Sequence, residues 1–137
     1  MATARSEDDV RDDTIAARKP CARLGDCLFC KIAAGVIPST AVFSDDEFYA
    51  FRDIHPAAPT HIVLIPRKHI PRVSDATSED AGLLGRMMLR ANEIARREGV
   101  AENGFRCVIN CNSWAGQEVF HLHMHLLGGR KFAWPPG

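Results

Sequence analysis

From Gly116 to Gly129 the chain alternates, with Phe120, Leu122, Met124 and Leu126 interleaved with His121, His123 and His125. Alternation bounded by glycines predicts a half-buried β-strand, because successive strand side chains point to opposite faces. The prediction sets the three histidines in a row on one face and an unbroken apolar row on the core face. Three neighbouring imidazoles cannot all be core histidines, since each needs partners for two ring nitrogens. The stretch reads as a site.

The same patterning predicts the other elements. Leu28, Phe29, Ile32 and Ala33 make a short helical turn that Gly35 ends, with Pro38 as a breaker. Strands over residues 41–43 and 48–51 form a hairpin through Ser44-Asp45-Asp46-Glu47. After a rigid loop from His55 to Pro59, residues 61–66 are a mostly buried third strand. One long helix runs from Ser78 to Glu98, with Thr77 and Asp80 as a cap pair. Its packing stripe is Leu84, Met87, Met88, Ala91, Ile94 and Ala95, and Arg86, Arg90, Glu93 and Arg97 make the solvated side. Residues 105–110 form the fourth strand and the histidine stretch the fifth. Connections short enough for antiparallel pairing indicate the α+β class, with about five strands, one long helix and one short one.

Composition narrows this picture. Residues 1–22 mix acidic and basic side chains with few large apolar ones, which predicts a tail, while residues 23–137 form one domain. Seventeen basic against 17 acidic residues give a net charge of zero, which disfavours nucleic acid and membrane surfaces as partners. No apolar run approaches the ~20 residues of a membrane span. Five cysteines, an odd number without an export signal, point to a reducing compartment, and the cytoplasm is the expected location.

The chemistry follows from residue types. Gly116 lets backbone N–H groups approach an anion, and a neutral imidazole is a good nucleophile toward phosphorus. A neighbouring imidazole can neutralise the charge that develops. The competing reading is a His-x-His metal centre. Glu118 is the only carboxylate between Phe105 and the C-terminus, so a carboxylate ligand is hard to supply locally and metal-free chemistry at His123 is favoured. Cys27-Leu28-Phe29-Cys30 is a separate signal: zinc completed by His69 and His121, redox chemistry, or two ordinary buried thiols.

His121-Leu122-His123-Met124-His125-Leu126-Leu127 resembles the signature of the histidine triad family of nucleotide hydrolases and transferases, and the wider pattern looks most like its purine nucleoside phosphoramidase branch. Phe51-Arg52-Asp53-Ile54, Ala58-Pro59-Thr60-His61, residues 65–70, Gly116-Gln117 and Trp134-Pro135-Pro136-Gly137 support that placement over about residues 27–137. The resemblance implies a five-stranded antiparallel sheet with two helices, extended across a homodimer, and Trp134 near the partner's pocket. It implies that His123 attacks the α-phosphorus of a nucleoside phosphoramidate or aminoacyl adenylate, and that water then releases AMP or GMP. His125 and the backbone from Gln117 to Val119 would hold the phosphate, and His121 and His61 would set protonation. Asp53 would take the ribose hydroxyls, Phe29, Phe51 and Ile54 would surround the purine, and Asn110 would edge the phosphate site. No cofactor is required, and a structural zinc on Cys27, Cys30, His69 and His121 would compete with a relay role for His121. Glu118 departs from the Ser or Thr of many members. A carboxylate turned inward there would repel phosphate; it would instead turn away or favour substrates with a cationic amine.

Overall fold

The computed structural model describes residues 26–137. The expected tail, residues 1–22, and the first three residues of the expected domain lie outside the described residues. The elements are α1 (Leu28–Ala33), β1 (Ala41–Ser44), β2 (Phe48–Arg52), β3 (Thr60–Pro66), α2 (Ala81–Arg97), β4 (Phe105–Val108) and β5 (Met124–Gly128). The strands form one sheet in the order β1-β2-β3-β5-β4, with every neighbouring pair antiparallel. This is the expected α+β architecture.

Strand alternation divides the interior into two cores. Phe48 and Ala50 of β2, Ile62 and Leu64 of β3, and Met124 and Leu126 of β5 pack with Met87, Ala91 and Ile94 of α2. Tyr49, Phe51, Val63 and Ile65 face the other way and pack against Cys27, Phe29, Cys30 and Ile32 around α1. The long helix therefore covers one face and the short helix the other. The candidate chemistry lies on the α1 face.

Two expectations need correction. The fifth strand begins at Met124, so His121 and His123 precede the ladder. Pairing with β3 stops at Leu64 opposite Met124, and Pro66 has no N–H to carry it further. Chain direction is held there by Leu122 N–H donating to Ile70 O at 2.6 Å. The alternation outlasts the ladder, since Leu122 is buried with Met124 and Leu126, but Phe120 is exposed and the apolar row ends before it.

On α2 the buried stripe is Leu83, Met87, Ala91, Ile94 and Ala95. Leu83 replaces the expected Leu84, which is half-buried, and Met88 is exposed. The other four expected positions, Met87, Ala91, Ile94 and Ala95, are buried, and Leu84 still packs against the core. Arg86 and Arg90 pair toward the β1–β2 turn, with Arg86 on Glu47 at 2.7 Å and Arg90 on Asp45 at 3.1 Å. The helix start matches expectation: Thr77 and Asp80 form a reciprocal capping box.

A buried arginine locks the α1 side. Arg67 donates to Asp45 O at 2.8 Å, Ala33 O at 3.1 Å and Ser44 Oγ at 2.7 Å, and its guanidinium lies 5.6 Å from the Tyr49 ring centroid. It ties the end of α1 to the β1–β2 turn and to the end of β3. Among the described residues, no helix is long and apolar enough to cross a membrane.

Candidate functional site

The site is assembled from the start of α1, the β2–β3 connection, the segment after β3, and the approach to β5. His123 is buried, and its Nδ1 lies 2.7 Å from the carbonyl of His121. A carbonyl only accepts, so Nδ1 carries the proton and Nε2 keeps a free lone pair. Burial holds the His123 imidazole below the ordinary histidine value, which favours the neutral form. The Phe29 ring meets it edge-on, with centroids 4.9 Å apart. His125, at 5.0 Å between centroids, is the next ring along.

A second set of bonds orders His125. Ala57 N–H donates to His61 Nδ1 at 2.9 Å, and His61 Nε2 stands 2.9 Å from His125 Nδ1. Since His61 Nδ1 accepts, the His61 proton is on Nε2, and His125 Nδ1 must accept from it. The His125 proton therefore sits on Nε2. Asp53 Oδ2 lies 3.3 Å from the same His61 Nε2–H, and Asp53 Oδ1 accepts from His55 N at 2.8 Å. His125 is pushed down to about 4, by burial first and then by His123 and His61, and burial also lowers His61.

These shifts make a pH prediction. An unfolded His125 has the ordinary value of 6.5, while the folded residue resists protonation until about 4. As pH falls, the unfolded state takes up its proton first, so stability is lost from about 6.5 down to about 4. The urea midpoint should decline over that window, and His125→Gln should make the decline shallower. A wild-type midpoint that held steady throughout it would contradict this.

His121 is fully buried and its ring lies elsewhere. Its Nε2 donates to Pro66 O at 2.7 Å, leaving the Nδ1 lone pair for other partners. That Nδ1 is 3.4 Å from Cys27 Sγ, 3.5 Å from Cys30 Sγ and 3.2 Å from His69 Nδ1, and Cys30 Sγ is 3.6 Å from His69 Nδ1. Cys27 caps α1, its Sγ accepting from Cys30 N at 3.3 Å, so the CxxC spacing brings both thiols to one end of the helix. All four donor atoms lie within 4.8 Å of one another. Tetrahedral zinc with bonds of about 2.05 Å to nitrogen and about 2.3 Å to sulfur sets N···N edges near ~3.3 Å and N···S edges near ~3.6 Å. The four observed separations match, and the Pro66 carbonyl supplies the outer contact that orients a ligating imidazole. The residues fit a zinc ion.

Asp53, His61 and His125 also bring three ligand atoms together. There the fit fails: the Ala57 amide fixes a proton on His61 Nε2, the nitrogen that faces the other two groups.

The HIT domain matches residues 34–132. The chain belongs to the HIT family. It is 53% identical over 103 residues to the purine nucleoside phosphoramidase of Escherichia coli K12, covering 75% of this chain and 87% of that one. A HIT-like protein of Synechocystis is 50% identical over 112 residues, covering 82% of this chain and 97% of its own. The crystal structure of a HIT family hydrolase from Legionella pneumophila is 54% identical, with a TM-score of 0.81 over 82% of this chain and 100% of that one.

The other residues singled out in the sequence are spread around this HIT site. Phe29 and Phe51 are buried with ring centroids 5.6 Å apart, whereas Ile54 is exposed and Asn110 half-buried. Gly116 adopts φ +88°, which favours glycine, and opens the loop into the site. The Gln117 side chain is buried and serves the loop: it donates to Pro71 O and Val119 O and accepts from Asn112 N. Glu118 is exposed, and so is Trp134. Sequence reasoning missed Ala57, whose contribution runs through a backbone N–H that carries no residue-type signal.

Proposed function

We propose that this HIT protein hydrolyses the P–N bond of purine nucleoside 5′-phosphoramidates or aminoacyl adenylates through a nucleotidyl-histidine on His123. The observation that carries the reading is the His123 hydrogen bond to the His121 carbonyl, which leaves a neutral Nε2 free beside His125. The identity to a named phosphoramidase supports the substrate class.

In this reading Nε2 of His123 forms a bond to the α-phosphorus and the bond to the leaving group breaks. Solvent supplies the proton that a departing amine needs. Water then attacks the nucleotidyl-histidine, releasing nucleoside monophosphate and restoring the imidazole. Nε2–H of His125 and the backbone from Gln117 to Val119 hold the phosphoryl oxygens, with Gly116 and Asn110 at the edge. Asp53 meets the ribose hydroxyls, and Phe29, Phe51 and Ile54 flank the purine. In this reading Glu118, which is exposed, turns away from the phosphate. A zinc ion on Cys27, Cys30, His69 and His121 would fix α1 to the approach to β5; His121 then acts through its carbonyl rather than as a ring in a proton relay.

A fluorogenic adenosine phosphoramidate should be turned over faster than a dinucleoside polyphosphate at equal concentration. Two alternatives compete with this reading, a dinucleoside polyphosphate hydrolase and a non-catalytic nucleotide- or zinc-binding interaction module: the opposite order would favour the first, and no turnover of either substrate the second. The reading also includes a homodimer with Trp134 near the partner's pocket. Met88 and Leu89 of α2 are 51% and 58% exposed and Trp134 is 81% exposed, apolar surface that a second copy would cover. Sedimentation should give the mass of two chains at micromolar concentration, and a monomer there would remove this part.

A further inference from the structure

The connection between β2 and β3 is pinned at three points, and one of them reaches the triad from outside it. Asp53 Oδ1 holds His55 N at 2.8 Å. Gly129, with φ +92°, lets the end of β5 approach so closely that a Cβ there would stand 2.9 Å from Pro59 Cβ. The next residue, Arg130, donates from Nη2 to Ala57 O at 3.1 Å. Ala57 is the residue whose N–H sets the His61 tautomer.

An exposed arginine bond is ordinarily worth little, because a long side chain must be held in one geometry. Arg130 is held by other contacts. Its guanidinium stacks on Phe132 at 4.4 Å from the centroid, its Nη1 donates to Lys131 O at 3.0 Å, and Arg106 stacks on the same Phe132 at 5.1 Å. Arg106 also donates to Ala133 O at 3.0 Å, which fastens the segment after β5. The chain of bonds is then continuous: Arg130 to Ala57 O, Ala57 N–H to His61 Nδ1, His61 Nε2–H to His125 Nδ1.

We propose that Arg130 is a positioning residue for the triad, holding Ala57 so that His61 and His125 both keep their proton on Nε2 and His125 presents a donor. The consequence for catalysis rests on the reading of His125 as the phosphate's partner, whereas the tautomers themselves do not. A proton on Nδ1 of His125 would face His61 and leave Nε2 as a lone pair, which repels a phosphoryl oxygen. Loosening Ala57 therefore affects the step in which charge develops more than the binding of substrate.

Long-range proton–nitrogen NMR of the imidazoles in the full chain reads this directly. Wild type should show His61 and His125 as Nε2–H tautomers. Arg130→Met keeps length and apolar contact but loses the fork; it should add a measurable Nδ1–H fraction at His125. It should also lower kcat about tenfold with KM changed by less than about twofold, since small misplacements at a reacting centre have large rate effects. Arg130→Lys should fall between the two. A wild-type His125 protonated on Nδ1 overturns the proposal, as does an Arg130→Met variant with unchanged tautomers. If Arg130→Met fails to fold, Phe132→Leu removes the stack and is read the same way. A tautomer shift in a protein that turns over no phosphoramidate would reject the proposed function and keep this inference, and turnover with unshifted tautomers would do the reverse.

Discussion

His123→Ala is expected to lower kcat by about ten-thousand-fold or more while KM changes by less than about threefold, the pattern for losing a nucleophile rather than a binding contact. The expectation rests on which nitrogen is available. The His121 carbonyl accepts from Nδ1–H at 2.7 Å, and burial favours the neutral ring, so Nε2 is a lone pair near neutral pH. Alanine removes that lone pair and leaves His125, the Gln117–Val119 backbone and the Phe29–Phe51 pair in place. The ring also packs edge-on against Phe29, so circular dichroism must show that the variant is folded. Quenching the wild-type reaction should trap a chain heavier by one nucleotidyl group, and the variant should show none. Turnover surviving in the variant, or an adduct on another residue, would remove His123 as the attacking group.

The sequence made this residue legible for a physical reason that partly misled. Alternation is a property of extended backbone, and it persists through Leu122, Met124 and Leu126 whether or not neighbouring strands bond to it. The hydrogen-bonded ladder is shorter because it needs donors from β3, and Pro66 supplies none. The α2 stripe was legible in period and largely in phase: Met87, Ala91, Ile94 and Ala95 are buried as expected, and only its edge differs, with Leu83 buried and Met88 exposed. Residue types announced the Cys27–Cys30–His69–His121 group, while its closure depended on three separate segments meeting within 4.8 Å. The His61–His125 contact joins residues 64 apart, and the Arg130–Ala57 bond spans 73 and ends on a carbonyl that any residue could provide. Side-chain chemistry is written in the sequence, whereas backbone atoms that orient it emerge only with the fold.

The second large effect concerns stability. Protein purified without added zinc should carry about one ion per chain, and Cys30→Ala should lose it together with about 3 kcal/mol or more, roughly 10 °C in Tm. An ion that binds only the folded arrangement of four donors stabilises it by linkage, and the more so the tighter it binds. Without an ion, two thiols and two imidazoles remain crowded at 3.2–3.6 Å, and the thiols are weak hydrogen-bonding groups. A chelator should lower the wild-type Tm and added zinc restore it, while Cys30→Ala should respond to neither. The effect should extend to the triad, because α1 carries Phe29 and the backbone of His121 carries the carbonyl that fixes His123. Loss of the ion should therefore lower kcat by less than His123→Ala does, and the loss should grow as temperature rises and α1 loosens. A metal content near zero, with a Tm indifferent to chelator and to Cys30→Ala, would reduce the cluster to buried thiols and assign the stability of this face to the Arg67 lock and the apolar packing around Phe29 and Phe51 instead.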